Sequence, residues 1–306
     1  MDRRSFVNNS LFGVAAIGTS ALSSGKNTFT EDNKGKPFNL DFAFHDGMFK
    51  NHGGEKFTDQ IKWAYDQGFR SIEDNGMMSR NPQQQDEIGN LLSKLGMKMG
   101  VFVLTSENWH WKTSLATGKK EFIDIMKKDC QYAIEVAKRV NAKHITVVPG
   151  NYDRSLPMDM QTANVIEALK IAAEILEPHG LVMVLEPLSD NADLFLRYSH
   201  QTFMICKAVA SPSCKILYDI YHMQRNEGNL IKNIDLTWDE IGYIQIGDNP
   251  GRKEPTTGEI NYPNVFKHIY NKGYKGVYGM EHGKSKEGKE GEIALIDAYR
   301  KVDLVI

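Results

Sequence analysis

Four apolar runs of this sequence close on, or carry near their ends, an oxygen-bearing side chain. LVMVLEP carries Glu186, CKILYDIYH carries Asp219, YIQIGD carries Gln245 and VYGMEH carries Glu281. A carboxylate flanked by buried residues costs several kcal/mol, or shifts its pKa, unless it is paired or bound to a metal. Three carboxylates and one amide oxygen converging on one point form a hard, open ligand set. Such a set suits Mg2+ or Mn2+, leaves positions for water or substrate, and does not favour sulfur-loving metals. Strand-end acids also serve as helix caps and ion-pair partners. Here the strand ends are followed by Pro187, Ile220, Gly247 and His282, not cations. Gln245 has a second use open to it, hydrogen bonding within the layers of a barrel. His222 follows Asp219 closely and can either orient a substrate hydroxyl or pack. The other histidines, His45, His52 and His110 among them, form no HxH or HExxH pattern.

These residues meet only if the runs carrying them are neighbouring strands. Eight runs read as strands: Phe38 to Phe44, Phe69 to Glu73, Lys98 to Leu104, His144 to Val148, Leu181 to Glu186, Lys215 to Asp219, Tyr243 to Ile246 and Gly276 to Glu281. Helical periods lie between them. Val165, Ile166, Leu169, Ala172, Ala173 and Leu176 make one apolar stripe before Gly180, and Phe122, Ile125, Met126, Ala133, Val136, Ala137 and Val140 make another. A third helix enters through Pro263, carries Val265, Phe266 and Ile269, and closes at Gly273. Alternating β and α elements imply a parallel sheet, and eight units in one stretch of this length predict an α/β fold of the (β/α)8 TIM barrel type, one domain over residues 37–306. A doubly wound sheet is the competitor, but no GxGxxG follows the first strand. In a barrel of this type the active site lies where the strands end, which is where the four oxygen-bearing residues fall.

Composition narrows the function classes. The chain of 306 residues has 37 Lys and Arg against 39 Asp and Glu, so it lacks the cationic surplus that a dedicated nucleic-acid binder needs. No run of 18 apolar residues occurs, which excludes a multi-span membrane protein. Cys130, Cys206 and Cys214 are an odd number without a CxxC pair, and suggest neither a disulfide scaffold nor a zinc ribbon. Residues 1–25 differ from the rest: Arg3 and Arg4 precede Phe6, and an uncharged stretch of small and apolar residues runs from Leu11 to Leu22. This resembles a twin-arginine export signal, followed by a linker over residues 26–36, and implies a periplasmic or otherwise exported protein with no membrane insertion once the signal is removed.

Three strings carry a closer resemblance: LEP at Glu186, YDIYHMQ from Tyr218 to Gln224, and YIQIGDNPGRKEPTTGEINYPNVF from Tyr243 to Phe266. Together they resemble the hydroxypyruvate isomerase family of xylose-isomerase-like TIM barrels. The resemblance implies an aldose-ketose isomerase, for example one converting hydroxypyruvate to tartronate semialdehyde through an enediolate. It implies Glu186, Asp219, Gln245 and Glu281 as metal ligands, with Glu186 and Glu281 as proton donor and acceptor. Arg252 and Glu254 would line the substrate mouth with His222. The chain departs from the family after the third strand, where it reads SENWHWKTSLATGKKEF, and after the last, where it reads EHGKSKEGKEG. Those departures, with the leader, keep a second reading open, an exported keto-sugar isomerase or epimerase acting on glycan breakdown products, with Trp109 and Trp111 suited to stacking on a sugar. A non-catalytic sugar-binding barrel is a third. An apurinic endonuclease would need a His-rich metal cluster and a basic face that this sequence lacks. The expected partner is a small keto acid or keto-sugar, not a nucleic acid, and assembly into a homo-oligomer is left open.

Overall fold

The computed structural model describes residues 35–105 and 114–303, all within one compact unit spanning 33–306. The leader, most of the linker, and the segment containing Trp109, His110 and Trp111 lie outside the described residues.

Among the described residues nine strand segments run in parallel: β1 (Asp41–His45), β2 (Ser71–Glu73), β3 (Lys98–Met99), β4 (Val101–Val103), β5 (His144–Val147), β6 (Val182–Leu185), β7 (Cys214–Asp219), β8 (Ile241–Ile246) and β9 (Val277–Met280). Their order in the sheet is β3-β2-β1-β9-β8-β7-β6-β5-β4. The two ends of that order are halves of a single run, Lys98 to Leu104. Gly100 divides them. Its N–H donates to Ile72 O at 2.8 Å on one side, and Leu104 N donates to Thr146 O at 2.9 Å on the other. The third strand therefore pairs with β2 through its first half and β5 through its second, which closes the sheet into the expected barrel. At the division a Cβ on Gly100 would overlap the Tyr243 hydroxyl inside the barrel, so the position takes a glycine. Strand by strand, the bounds differ from the sequence reading by three residues or fewer.

Ten helices accompany the described strands: α1 (Lys50–Gly53), α2 (Phe57–Asp66), α3 (Pro82–Leu95), α4 (Lys120–Val140), α5 (Met158–Leu176), α6 (Ser199–Val209), α7 (Ile220–Asn226), α8 (Leu230–Thr237), α9 (Tyr262–Asn271) and α10 (Gly288–Val302). Local sequence explains several boundaries. Asn81 caps α3 by accepting from Gln84 N at 2.9 Å while its own N–H donates to Gln84 Oε1, Pro82 occupies the first turn, and Gly96 ends the helix at φ 64°. Val165, Ala168, Leu169, Ala172, Ala173 and Leu176 form the buried stripe of α5. Such stripes pack on the outside of the barrel and form the main core.

A smaller core lies inside the barrel: Ala43, Val101, Val184, Leu217, Tyr243 and Val277. Side chains on a strand alternate faces, so a residue two positions further along points to the same side. Two positions beyond Ala43, Val184, Leu217 and Tyr243 lie His45, Glu186, Asp219 and Gln245. Glu281 is four positions beyond Val277. The inner core thus forms a floor, and the polar residues stand above it at the strands' C-terminal ends.

Candidate functional site

Glu186 directly follows β6 and is 4 % exposed, and Asp219 ends β7 at 0 %. The Asp219 carboxylate does two jobs. Oδ1 caps α7, accepting from Tyr221 N at 2.8 Å, while Oδ2 has no hydrogen-bond partner. That cap starts α7, which brings His222 around so that Nε2 lies 3.5 Å from Asp219 Oδ2 and 3.8 Å from Glu186 Oε1. Glu281, just past β9, accepts from Asn75 Nδ2 at 2.8 Å through Oε1. One ligand atom each from Glu186, Asp219, His222 and Glu281 lies within 4.8 Å of every other, a grouping able to hold a metal ion.

A cation does reach this cluster, from a loop. Arg252 Nη2 donates to Glu281 Oε2 at 2.8 Å and to His222 Nε2 at 3.0 Å, and lies 3.8 Å from Asp219 Oδ2. The following residues along each strand gave no sign of this, because the pairing spans the turn between β8 and α9. That turn is built on Asp248, whose carboxylate accepts from Gly258 N at 2.9 Å and Ile260 N at 3.1 Å. A Cβ at Gly258 would overlap the Asn249 carbonyl. Arg252 itself sits at φ 49°, a left-handed conformation costly for a residue with a side chain, held by its N–H to Asp248 O at 2.8 Å and by Gly283 N donating to its carbonyl at 3.0 Å. Its guanidinium packs over the Tyr221 ring at 5.1 Å.

Electrostatics follow from this burial. Desolvation, then Glu281 and Asp219, push the Glu186 carboxyl well above its usual range. Desolvation raises Asp219 to about 6 despite the opposing pull of Arg252 and two backbone N–H groups. Burial and then Arg252 hold His222 down at about 4, so its imidazole is neutral at pH 7. A guanidinium has only donors to give, so it meets His222 at Nε2, while Nδ1 stands 2.8 Å from Ser189 Oγ and 3.2 Å from Ser189 N. Burial works against the Arg252 charge, but Glu281, Asp219, Glu186 and Asp190 outweigh it and raise its pKa.

The donor set fits a hard divalent cation. Glu186 Oε1, Asp219 Oδ2 and Gln245 Oε1 are buried oxygens without a hydrogen-bond donor. Three carboxylates also face one guanidinium, an excess of negative charge that a divalent ion would offset.

Of the residues singled out in the sequence, Glu186, Asp219, His222, Glu281 and Arg252 come together. Gln245 lies on β8 with Asp219 beside it on β7 and Gly279 on β9, its Nε2 donating to Glu73 Oε2 at 3.1 Å. Glu254 is placed elsewhere: it is buried, and its carboxylate accepts from Ser285 N at 2.9 Å and from the Ser285 hydroxyl, bracing the loop after β9 instead of joining the cluster. Glu73, Asn75, Ser189 and Asp190 escaped sequence reasoning. Only Glu73 carried a usable signal, since it too is an acid closing an apolar strand.

The xylose isomerase-like TIM barrel family model matches residues 61–301. Hydroxypyruvate isomerase of Escherichia coli is 30% identical over 256 residues, covering 81% of this chain and 95% of that protein. A 2-oxo-tetronate isomerase of Pectobacterium atrosepticum is 28% identical over 240 residues, 76% of this chain and 89% of its own. Among solved structures, the 3-keto-D-glucoside 4-epimerase of E. coli superposes with a TM-score of 0.72 at 17% identity, covering 86% of this chain and 98% of that one, a likeness of fold alone. The chain belongs to the xylose isomerase-like TIM barrel family and, within it, to the hydroxypyruvate isomerase family.

Proposed function

We propose that this protein is a metal-dependent isomerase of short 2-keto acids, taking hydroxypyruvate to tartronate semialdehyde. The observation that carries the reading is the cluster itself. Two glutamates, an aspartate and a neutral histidine each offer a ligand atom within 4.8 Å of the others, with a guanidinium at the edge. The names of the relatives, both isomerases of 2-keto acids, support the same substrate class.

Glu186, Asp219, Gln245 and Glu281 would hold Mg2+ or Mn2+, with His222 Nε2 beside them. When bound, such an ion stabilises the negative charge that develops on an enediolate. The remaining work belongs to the chain. One glutamate takes a proton from C3 and the other delivers one to C2, while the O3 hydroxyl proton passes to O2, so carbonyl and hydroxyl exchange places without any net change in oxidation state. Arg252 Nη1 stands 3.6 Å from Asp190 Oδ1, beyond hydrogen-bond range, and has donors to offer a substrate carboxylate. The test is turnover of hydroxypyruvate after chelation and dialysis. Activity should vanish and return with Mg2+, Mn2+ or Co2+; full turnover by metal-free protein would refute metal dependence.

The leader supports a second part of the proposal, export by the twin-arginine route. N-terminal sequencing of protein from the native host should start shortly after residue 20, in a fraction outside the cytoplasm. Uncleaved Met1 protein in the cytosol would exclude export.

A further inference from the structure

Glu73 ends β2, is fully buried, and has no part in the chemistry above. Its Oε2 accepts from His45 Nε2 at 2.7 Å and from Gln245 Nε2 at 3.1 Å. We infer that Glu73 is a positioning residue that fixes which way the Gln245 amide points, and so makes Gln245 an oxygen ligand. The inference rests on the metal reading above.

The Glu73 oxygen that meets His45 Nε2 also takes the amide nitrogen of Gln245; a flipped amide would set oxygen against oxygen in a dry interior. With Nε2 held by Glu73, the amide oxygen is left buried without a donor, as Glu186 Oε1 and Asp219 Oδ2 are. His45 in turn fixes Glu73. The backbone makes room for this arrangement: a Cβ at Gly279 would overlap Glu73 Oε1, so β9 carries no side chain at the inward position between Val277 and Glu281. Glu73 itself stands outside the set of four whose atoms lie within 4.8 Å of one another.

The test measures the Mn2+ dissociation constant of the metal-stripped full chain by competition with a chelating dye, with the unfolding temperature of each metal-free protein alongside. In Glu73→Gln the residue at 73 can meet the Gln245 amide either way round, and Mn2+ should bind about 10- to 100-fold more weakly, the usual cost of losing a group that orients a ligand. Combining Glu73→Gln with Gln245→Glu exchanges the two groups and keeps the pair's charge. A carboxylate at 245 offers oxygen in either orientation, so the exchanged protein should regain affinity to within a few-fold of wild type. Wild-type affinity in Glu73→Gln overturns the inference, as does failure of the exchange to restore binding in a protein whose metal-free unfolding temperature is normal. If Glu73→Gln alone does not fold, the exchanged protein decides: near-wild-type affinity supports the inference, and binding weakened tenfold or more, or loss of the fold, overturns it. A wild type that binds no Mn2+ defeats the metal reading and this inference together, whereas the preceding results defeat the inference alone.

Discussion

Arg252 Nη2 lies 2.8 Å from Glu281 Oε2, an ion pair between a loop residue and an acid at a strand end 29 positions away. The pair joins the group proposed to bind the substrate carboxylate to one of the two groups proposed to move its proton. Arg252→Lys keeps the charge but loses the planar fork, and hydrogen bonds to charged groups are worth about 1.5–3 kcal/mol. We expect kcat/KM for hydroxypyruvate to fall roughly 10- to 100-fold, mainly through KM. Dihydroxyacetone, which lacks the carboxylate, supplies the comparison. An equal loss on both substrates would show that Arg252 does not read the carboxylate.

Glu186→Gln and Glu281→Gln each preserve side-chain volume and an oxygen while removing a base. At saturating Mn2+ turnover should fall about 10²- to 10⁴-fold, the usual contribution of a positioned acid or base, with little change in unfolding temperature. Gln245→Glu, which alters the charge of the site without deleting either glutamate, serves as the control. Near-full turnover in both Glu→Gln variants under these conditions would remove the glutamates from the proton path and leave hydride transfer or another group to explain isomerisation.

His144 offers a pH prediction away from the site. It begins β5, its ring 5.5 Å from that of Tyr243, and burial followed by the nearby Lys143 charge lowers its pKa to about 4. Unfolded, it titrates near the ordinary value of about 6.5. Between those two pH values the unfolded chain binds more protons, so His144 takes stability away progressively as pH falls from about 6.5 to about 4 and has no effect above that range. His144→Gln should therefore lower the acid sensitivity of folding. Its unfolding temperature relative to wild type should be flat above pH 7 and climb below pH 6; parallel curves for the two proteins down to pH 4.5 would contradict the assignment.

Much of the site was legible before folding because a barrel turns a one-dimensional rule into a three-dimensional one. Acids or amides near the ends of β6, β7, β8 and β9 had to face the same end, and inward alternation, read from Leu217 to Asp219 and from Tyr243 to Gln245, put them above the same floor. The split of the third strand at Gly100 was not legible, since it depends on which neighbouring strand each half meets. Glu73 shows a different limit: its strand was recognised, but its partner Gln245 is 172 residues away.

The sequence alone determined the repeating β and α units, the parallel barrel they close into, and the acids at the ends of its later strands. These follow from periodicity and from the cost of burying charge, which act locally along the chain. Only tertiary structure decided how those acids are neutralised and oriented. Arg252 enters from a loop folded around Asp248, His222 swings in on a helix capped by Asp219, and Glu254, from the same loop as Arg252, turns to Ser285. Ion pairs and hydrogen bonds depend on distances of about 3 Å between groups that the chain separates by tens or hundreds of residues, and no local pattern encodes those distances.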